Sequence, residues 1–222
     1  ARMDLDTTRS KQAYHQILTD FEDQKIDILV GTQMVTKGLD FDNVSLVCIL
    51  NADNMLSYPD FRAAERSFQL MAQVSGRSGR KNKQGKVIIQ TNNPGHPVIR
   101  DVVKNDYLAM FRQQLIERQK FKYPPYVRLV LLKLKHKDPD LLNKAAEALA
   151  KSLRIVFGKR ILGPEFPMVA RIMNYYIKHI LFKIEREVSS GIMKAKLAEE
   201  IEKFQKEQAF RPVKVIMDVD PQ

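Results

Sequence analysis

The sequence predicts an α/β domain built on a parallel sheet with flanking helices, over residues 1–120, followed by an α+β domain over residues 121–222. Apolar runs typical of buried strands alternate with helical patterns in the first part, as they do in parallel sheets. Two adjacent prolines, Pro124 and Pro125, then interrupt helix and sheet alike. The pattern after them has the order βαββαβ, which predicts a ferredoxin-like arrangement of the second domain.

The first domain begins with a helical pattern whose apolar face is formed by Ala13, Ile17, Leu18 and Phe21. Asp6 or a neighbouring threonine is its expected N-cap. Buried strands are predicted at residues 26–30, 46–50 and 86–91, and a long helix at residues 98–119. Cys48 lies in the second apolar run and is predicted to be a core residue. Asp53 follows that run, where ordinary turn chemistry is favoured over a functional role.

The second domain contains further strand and helix patterns. The predicted elements are a strand at residues 127–135, a helix at 139–157, a strand around Ile161, a hairpin of 168–173 with 176–184, a charged helix at 191–208 and a strand at 213–218. The hairpin is expected to turn at Asn174 and Tyr175.

Composition indicates a globular protein with an uneven charge. Hydrophobic residues make up 44% of the 222 residues, and no apolar run approaches the roughly 20 residues of a membrane helix. The single cysteine excludes an intramolecular disulfide, which favours the cytoplasm. The net charge is +11, and residues 119–222 contribute +9 of it through 21 Lys and Arg against 12 Asp and Glu. We therefore expect the second domain to attract a polyanion.

A candidate loop follows the strand predicted at residues 26–30. It is residues 31–41, Gly-Thr-Gln-Met-Val-Thr-Lys-Gly-Leu-Asp-Phe. Ligand-contacting loops of parallel sheets follow the carboxyl ends of their strands. Gly31 and Gly38 permit a close approach of the backbone to a ligand. Thr32 and Gln33 offer uncharged hydrogen-bonding groups that suit a sugar-phosphate backbone. The loop is thus a candidate binding segment.

Residues 73–80, Gln-Val-Ser-Gly-Arg-Ser-Gly-Arg, follow a helical pattern that starts near Phe61. The two Gly-Arg pairs are expected at or near the C-terminal end of that helix. Arg77 and Arg80 are three residues apart, so a helical turn would direct both guanidinium groups to one side. Arginine forks bind phosphate oxygens, and this spacing predicts a phosphate clamp. The simpler alternative is a solvated basic turn.

These two segments resemble motifs V and VI of superfamily-two helicases. The surrounding strings extend the resemblance to the primosomal protein N′ family of bacterial replication-restart helicases. They are residues 2–8 (Arg-Met-Asp-Leu-Asp-Thr-Thr), 60–66 (Asp-Phe-Arg-Ala-Ala-Glu-Arg), 87–91 (Val-Ile-Ile-Gln-Thr), 123–126 (Tyr-Pro-Pro-Tyr) and 218–221 (Asp-Val-Asp-Pro). The resemblance covers essentially the whole chain. It implies a RecA-like second helicase lobe followed by the family's C-terminal DNA- or partner-binding domain.

The resemblance also implies roles for particular residues. Those expected to act on the γ-phosphate of ATP are Gln73, Arg77 and Arg80, with Arg80 as the arginine finger. Those expected to contact the nucleotide are Gly38, Asp40 and Gly76. Those expected to contact the DNA backbone are Thr32, Gln33 and Lys37. Asp40 as a helix cap or turn residue, and Lys37 as a solvated side chain, remain open alternatives.

In the second domain, aromatic and basic residues alternate around the predicted hairpin. Such interleaving is typical of single-strand-binding surfaces, and Tyr176, Lys178 and Lys183 are the DNA-binding candidates. An ordinary half-buried hairpin is the alternative.

A helicase motor also needs a P-loop, Gly-x-x-x-x-Gly-Lys-Ser/Thr, and this sequence has none. The resemblance therefore implies a C-terminal fragment, inactive by itself, of an ATP-dependent 3′–5′ DNA helicase that recognises stalled or abandoned forks and restarts replication by primosome assembly. ATP and Mg²⁺ would be held mainly by a missing lobe. Zinc is expected in a cysteine-rich insertion upstream, and no metal in this fragment.

The family implies forked and single-stranded DNA, single-stranded-DNA-binding protein and other primosome proteins as partners, no membrane, and a cytoplasmic, nucleoid-associated location. Two other readings stay open. One is a different superfamily-two translocase, such as a branch-migration or RNA helicase, since motifs V and VI alone allow it. The other is a non-catalytic module that binds nucleic acid or protein through a degenerate motor lobe.

Overall fold

The structure is a computed structural model that describes residues 1–4, 10–31, 44–76 and 85–221. The chain forms two compact units, Ala1–Ile116 (unit 1) and Glu117–Gln222 (unit 2). Each unit has hydrophobic clusters of its own. The mixture of helices and strands confirms the predicted α/β class.

Unit 1 contains short strands and longer helices. Its described elements are β1 (Arg2–Met3), α1 (Lys11–Glu22), β2 (Val30–Gly31), β3 (Leu46–Ile49), α2 (Ala52–Leu56), α3 (Ala63–Ser75), β4 (Lys86–Ile89), α4 (Pro97–Lys104) and most of α5 (Tyr107–Lys120). Strand β1 pairs with β2 and β3 pairs with β4, both in parallel, as an α/β sheet requires. Within the described residues the pairs are two separate two-stranded sheets rather than one continuous sheet.

Three local predictions for unit 1 are corrected. The strand predicted at residues 26–30 is regular only at Val30–Gly31, because its described partner β1 is two residues long. Helix α1 is capped by Ser10, whose hydroxyl accepts a hydrogen bond from the Ala13 N–H at 3.1 Å. The helix predicted at residues 98–119 is two helices, because Asn105 adopts a left-handed conformation (φ 53°) between α4 and α5.

Cys48 is exposed, so its prediction as a core residue is wrong. Successive residues of a strand point to opposite faces. Ile49 is buried among residues of α2, α3 and α4, whereas Leu46 and Cys48 are exposed on the opposite face of β3. Ile88, the partner of Cys48 in β4, is exposed as well. An apolar run predicts burial on both faces of a parallel sheet, and among the described residues only one face of the β3–β4 pair is covered.

Unit 2 is an antiparallel sheet with two helices. Its described elements after α5 are β5 (Val127–His136), α6 (Pro139–Phe157), β6 (Ile161–Glu165), β7 (Arg171–Ile172), β8 (Tyr175–Glu185), α7 (Ser190–Lys206) and β9 (Lys214–Val219). The strand order is β6-β8-β5-β9, with β7 paired to the start of β8, and all these pairs are antiparallel. The predicted strand around Ile161 is therefore present.

The core of unit 2 lies on one face of this sheet. Strands β5 and β8 direct alternate residues into it, and α6 and α7 cover them. The fully buried strand residues are Val130, Leu132, Leu134, Ile180, Phe182 and Ile184. Burial of each such side chain contributes about 1.5–3 kcal/mol. Helix α6 begins at Asp138, whose carboxylate accepts from the Asp140 N–H at 2.9 Å, and it ends at Gly158, where φ is 60°.

The β7–β8 hairpin differs from its prediction. Ile172 pairs with Tyr175, so the turn residues are Met173 and Asn174 rather than Asn174 and Tyr175. The first arm contributes only two ladder residues, whereas β8 continues for eleven. The partners of β8 beyond the hairpin are β5 and β6, which come from earlier in the chain.

Candidate nucleotide and nucleic-acid sites

The first candidate site is the C-terminal end of α3. The helix starts where the Asp60 carboxylate accepts from the Arg62 N–H at 2.8 Å, and its buried face includes Phe68 and Met71. It ends at Ser75, and the N–H of Gly76 donates to the carbonyl of Ala72. The prediction that the Gly-Arg pairs fall at or near a helix end is confirmed for the first glycine.

The structure describes two of the predicted nucleotide-contacting residues. Gln73 is exposed in the last turn of α3, and Gly76 is its exposed C-cap. The predictions for Arg77, Arg80, Gly38, Asp40, Thr32, Gln33 and Lys37 lie outside the described residues.

The described surroundings of Gly76 would also accommodate a residue with a side chain. Its φ is −67°, which any residue adopts. A Cβ atom placed there would meet the carbonyl oxygens of Ala72 and Gln73 at 3.6 Å, an ordinary contact distance. Neither the backbone conformation nor crowding by described atoms therefore requires glycine at this position.

Asp53 joins the loops that follow β3 and β4. Its carboxylate accepts hydrogen bonds from the Thr91 hydroxyl at 2.6 Å, the Asn92 N–H at 2.8 Å and the Asn92 side-chain amide at 3.1 Å. The Thr91 hydroxyl, followed by the Asn92 N–H, lowers the pKa of this carboxyl. Asp53 thus has a structural role that holds two loops together, in keeping with the turn chemistry favoured from the sequence.

The second candidate site is on strand β8, whose geometry separates the predicted DNA-binding residues. Tyr176 and Lys178 are separated from the core residues Ile180 and Phe182 by even numbers of positions along β8, whereas Lys183 is separated from them by odd numbers. Because side chains alternate along a strand, Lys183 lies on the other face of the sheet. The three residues therefore do not form one surface.

Lys183 is engaged inside unit 2. Its ammonium group donates to the carbonyl of Phe121 at 2.8 Å and lies 3.7 Å from the centre of the Tyr123 ring. Burial, followed by the nearby charge of Lys122, lowers the pKa of Lys183. These contacts hold the proline-containing segment before β5 against the sheet.

Tyr176 and Lys178 lie near the start of β8 in two cation–π pairs. The guanidinium carbon of Arg171 is 5.1 Å from the centre of the Tyr176 ring. Lys178 is only 9% exposed, and its ammonium nitrogen is 4.6 Å from the centre of the Phe166 ring. A desolvated ammonium gains from such a contact with an aromatic face.

The structure adds Lys137, Arg171 and Lys214 to the residues that the sequence singled out. The ammonium groups of Lys137 and Lys214 lie 5.8 Å and 5.6 Å from the centre of the Tyr175 ring. The four cations Lys137, Arg171, Lys178 and Lys214, named here the basic rim, form no ion pair with any carboxylate in the described part of the chain. Other cations of unit 2 do: Lys133 pairs with Asp218 at 2.7 Å, for example. Only strand register brings the rim together, so no local sequence signal reveals it.

The described residues contain no group of three or more His, Cys, Asp or Glu side chains placed to hold a metal ion. None of their helices has the length and apolar character needed to cross a membrane.

Family models match both parts of the chain. The model of the helicase conserved C-terminal domain matches residues 3–82, and that of the primosomal protein N C-terminal domain matches residues 119–222. The replication restart protein PriA of Bacillus subtilis is 40% identical over 222 residues, which are 99% of this chain and 27% of that protein. The proteins of the same name in Synechocystis and Haemophilus influenzae are 42% and 35% identical, over 82% and 100% of this chain and 22% and 30% of their own length.

The chain thus spans about a quarter of the length of these relatives. The two family models fall on the two parts of the chain in which the sequence places the helicase motifs and the basic domain. The chain belongs to the primosomal protein N family of replication restart proteins and carries that family's C-terminal domain.

Proposed function

We propose that this chain is the C-terminal part of an ATP-dependent 3′–5′ DNA helicase that recognises stalled or abandoned replication forks and restarts replication by primosome assembly. The observation that carries the proposal is the segment Gln-x-x-Gly-Arg-x-Gly-Arg at the end of α3. Its first glycine, Gly76, leaves room for the close approach of a ligand, because the nearest described atoms lie 3.6 Å from a Cβ placed there. The relatives' name, replication restart protein, supports the same activity.

In this proposal, unit 1 supplies charge stabilisation to a nucleotide that another lobe binds. Arg80 acts as the arginine finger, with Arg77 and Gln73 beside it, and Gly38, Asp40 and Gly76 lie against the nucleotide. ATP with Mg²⁺ supplies the phosphoryl group whose transfer the arginine stabilises. Zinc belongs to a cysteine-rich insertion elsewhere in the protein.

Unit 2 is proposed to bind DNA within a ferredoxin-like domain that spans residues 121–222, after a helicase lobe that spans residues 1–120. Its antiparallel order β6-β8-β5-β9, with helices after β5 and β8, supports that arrangement. The net charge of +9 over residues 119–222 supports a polyanion as ligand, and so does the basic rim, whose cations have no carboxylate partner among the described residues. Tyr176 and Lys178 are proposed DNA contacts. Lys183 is a weaker candidate because the carbonyl of Phe121 already engages it.

The family also implies that Thr32, Gln33 and Lys37 contact the DNA backbone in unit 1. Forked and single-stranded DNA, single-stranded-DNA-binding protein and other primosome proteins are the proposed partners, and the cytoplasm with its nucleoid is the proposed location.

The arginine finger is tested in the full-length protein with the Arg80→Ala variant. We expect DNA-stimulated ATP hydrolysis to fall by about 1,000-fold, because an arginine finger contributes at least that factor to phosphoryl transfer. DNA affinity, measured by fluorescence anisotropy, should stay within about twofold. The control is Arg66→Ala on the same helix, since Arg66 pairs with Asp60 at 3.2 Å and should leave hydrolysis intact.

Normal turnover by the Arg80→Ala protein would remove the arginine-finger assignment. ATP hydrolysis by the 222-residue chain alone would contradict the proposal that another lobe holds the nucleotide.

A further inference from the structure

The β7–β8 hairpin carries an exposed apolar tip. Ile172 and Met173 at the turn, named here the hairpin tip, are exposed large apolar side chains, and so are Met168 and Val169 in the bend before β7. The pairing of Ile172 with Tyr175 and a hydrogen bond from the Ile177 N–H to the Ala170 carbonyl (2.9 Å) hold the hairpin in shape. None of the four belongs to a core cluster in the described part of the chain. Four exposed large apolar side chains this close together in the chain mark a candidate interaction site.

Met173 has a backbone conformation that is unfavourable for methionine. It is the first of the two turn residues and has a φ of 53°, which glycine or asparagine adopts at lower energy than methionine. Its side chain is 90% exposed, so burial does not offset that cost. The long apolar side chain therefore serves something outside the described fold.

Cations flank the tip on both faces of the hairpin. Arg171 lies opposite Tyr176 on the face that carries the core, and its guanidinium contacts that ring. Tyr175 points to the other face, where Lys137 and Lys214 lie beside its ring. These cations have no carboxylate partner among the described residues. The surface around the apolar tip is therefore better suited to contact phosphates than to pack against an apolar protein surface.

We propose that the β7–β8 hairpin is a wedge for DNA junctions: the hairpin tip enters between bases where a duplex opens, and cations on its two faces contact the phosphates of the two diverging strands. Methionine and isoleucine are among the side chains that proteins insert between base steps. The inference rests on the proposed function, because it names the part of the DNA that unit 2 contacts. It assigns the apolar tip to bases and Lys137, Lys214 and Arg171 to backbone.

The test uses the 222-residue chain and a forked DNA with 2-aminopurine at the first base pair of the duplex. Wild type should raise the 2-aminopurine fluorescence, because the wedge unstacks that base. Met173→Asn should lose at least about half of the rise and bind the fork about tenfold more weakly, while its affinity for single-stranded DNA changes by less than about twofold. Asparagine suits the left-handed turn, so thermal unfolding should show a folded protein at least as stable as wild type.

Two further variants separate the tip from the cations. Ile155→Gln, at a side chain 81% exposed on α6, is the matched control and should behave as wild type. Lys137→Ala with Lys214→Ala should lower the slope of log affinity against log salt by about 2, one for each lost phosphate contact. The 2-aminopurine rise at saturation should remain in this double variant.

The possible failures are distinguishable. If wild type binds the fork with a steep salt dependence and Met173→Asn keeps the full fluorescence rise and affinity, the wedge is overturned and DNA binding by the chain stands. If wild type binds neither fork nor single strand at low salt, the DNA-binding part of the proposed function is overturned, and the wedge with it.

Discussion

His179 shows how the surroundings of a single residue set its charge. It lies on the face of β8 opposite the core, with Lys133 directly across in β5 and Lys135 nearby. Burial, followed by the charges of Lys133 and Lys135, lowers the pKa of this imidazole below 6.5. The folded protein therefore favours the neutral ring.

The lowered pKa of His179 makes the folded protein less stable at acidic pH. As the pH falls, His179 binds a proton in the unfolded chain at a higher pH than in the folded chain. The contribution of the neutral ring to the free energy of unfolding is therefore present above about pH 6.5 and is lost as the pH falls through the folded pKa. We expect His179→Gln to reduce the loss of stability of unit 2 between about pH 7 and about pH 5. Urea unfolding at both pH values measures this. An unchanged pH dependence in the variant would show that other groups cause it.

At the scale of elements, strand β6 depends on one glycine. Gly163 has a φ of 87°, and its position falls where the register between β6 and β8 shifts. A Cβ atom there would lie 2.7 Å from the carbonyl oxygen of His179, which is backbone and therefore not free to move aside. The glycine allows β6 to stay paired with β8 on both sides of the irregularity.

We therefore expect Gly163→Ala to lower the free energy of unfolding of unit 2 by about 1–3 kcal/mol, because both the backbone conformation and the clash oppose a side chain. The control is Gly191→Ala in the first turn of α7, where the nearest atom is 4.0 Å from the new Cβ. Alanine there should leave stability unchanged or raise it slightly. Denaturant unfolding monitored by circular dichroism compares the two, and equal stabilities would contradict the role of Gly163.

At the scale of the whole molecule, the described residues of unit 1 leave apolar strand surface exposed. Leu46, Cys48 and Ile88 are exposed on one face of the β3–β4 pair. Parallel sheets are normally covered on both faces. The relatives are about four times longer than this chain, and we propose that residues of the full-length protein outside the described ranges cover this face.

Thiol labelling tests this cover. Cys48 in the native 222-residue chain should react with a maleimide as fast as an exposed model thiol. In the full-length protein, a Cys48-only variant should react at least about tenfold more slowly, because the remaining lobe would bury the thiol. Equal rates in the two proteins would show that the face stays open.

The sequence by itself determined the features that are local in the chain. Hydrophobic periodicity predicted α6 and the helix that ends at Ser75, because it depends on residues three and four positions apart. The helicase motifs and the family were evident for the same reason, since their residues are contiguous. The uneven charge of the two parts also needed only counting.

Only the tertiary structure decided what depends on strands from distant parts of the chain. It gave Lys183 a contact with the segment before β5, placed Lys178 against Phe166, and left Cys48 exposed. It also brought Lys137 and Lys214 to the same tyrosine. The physical reason is register: a strand's two-residue period determines which side chains share a face, but its pairing partners determine what that face meets.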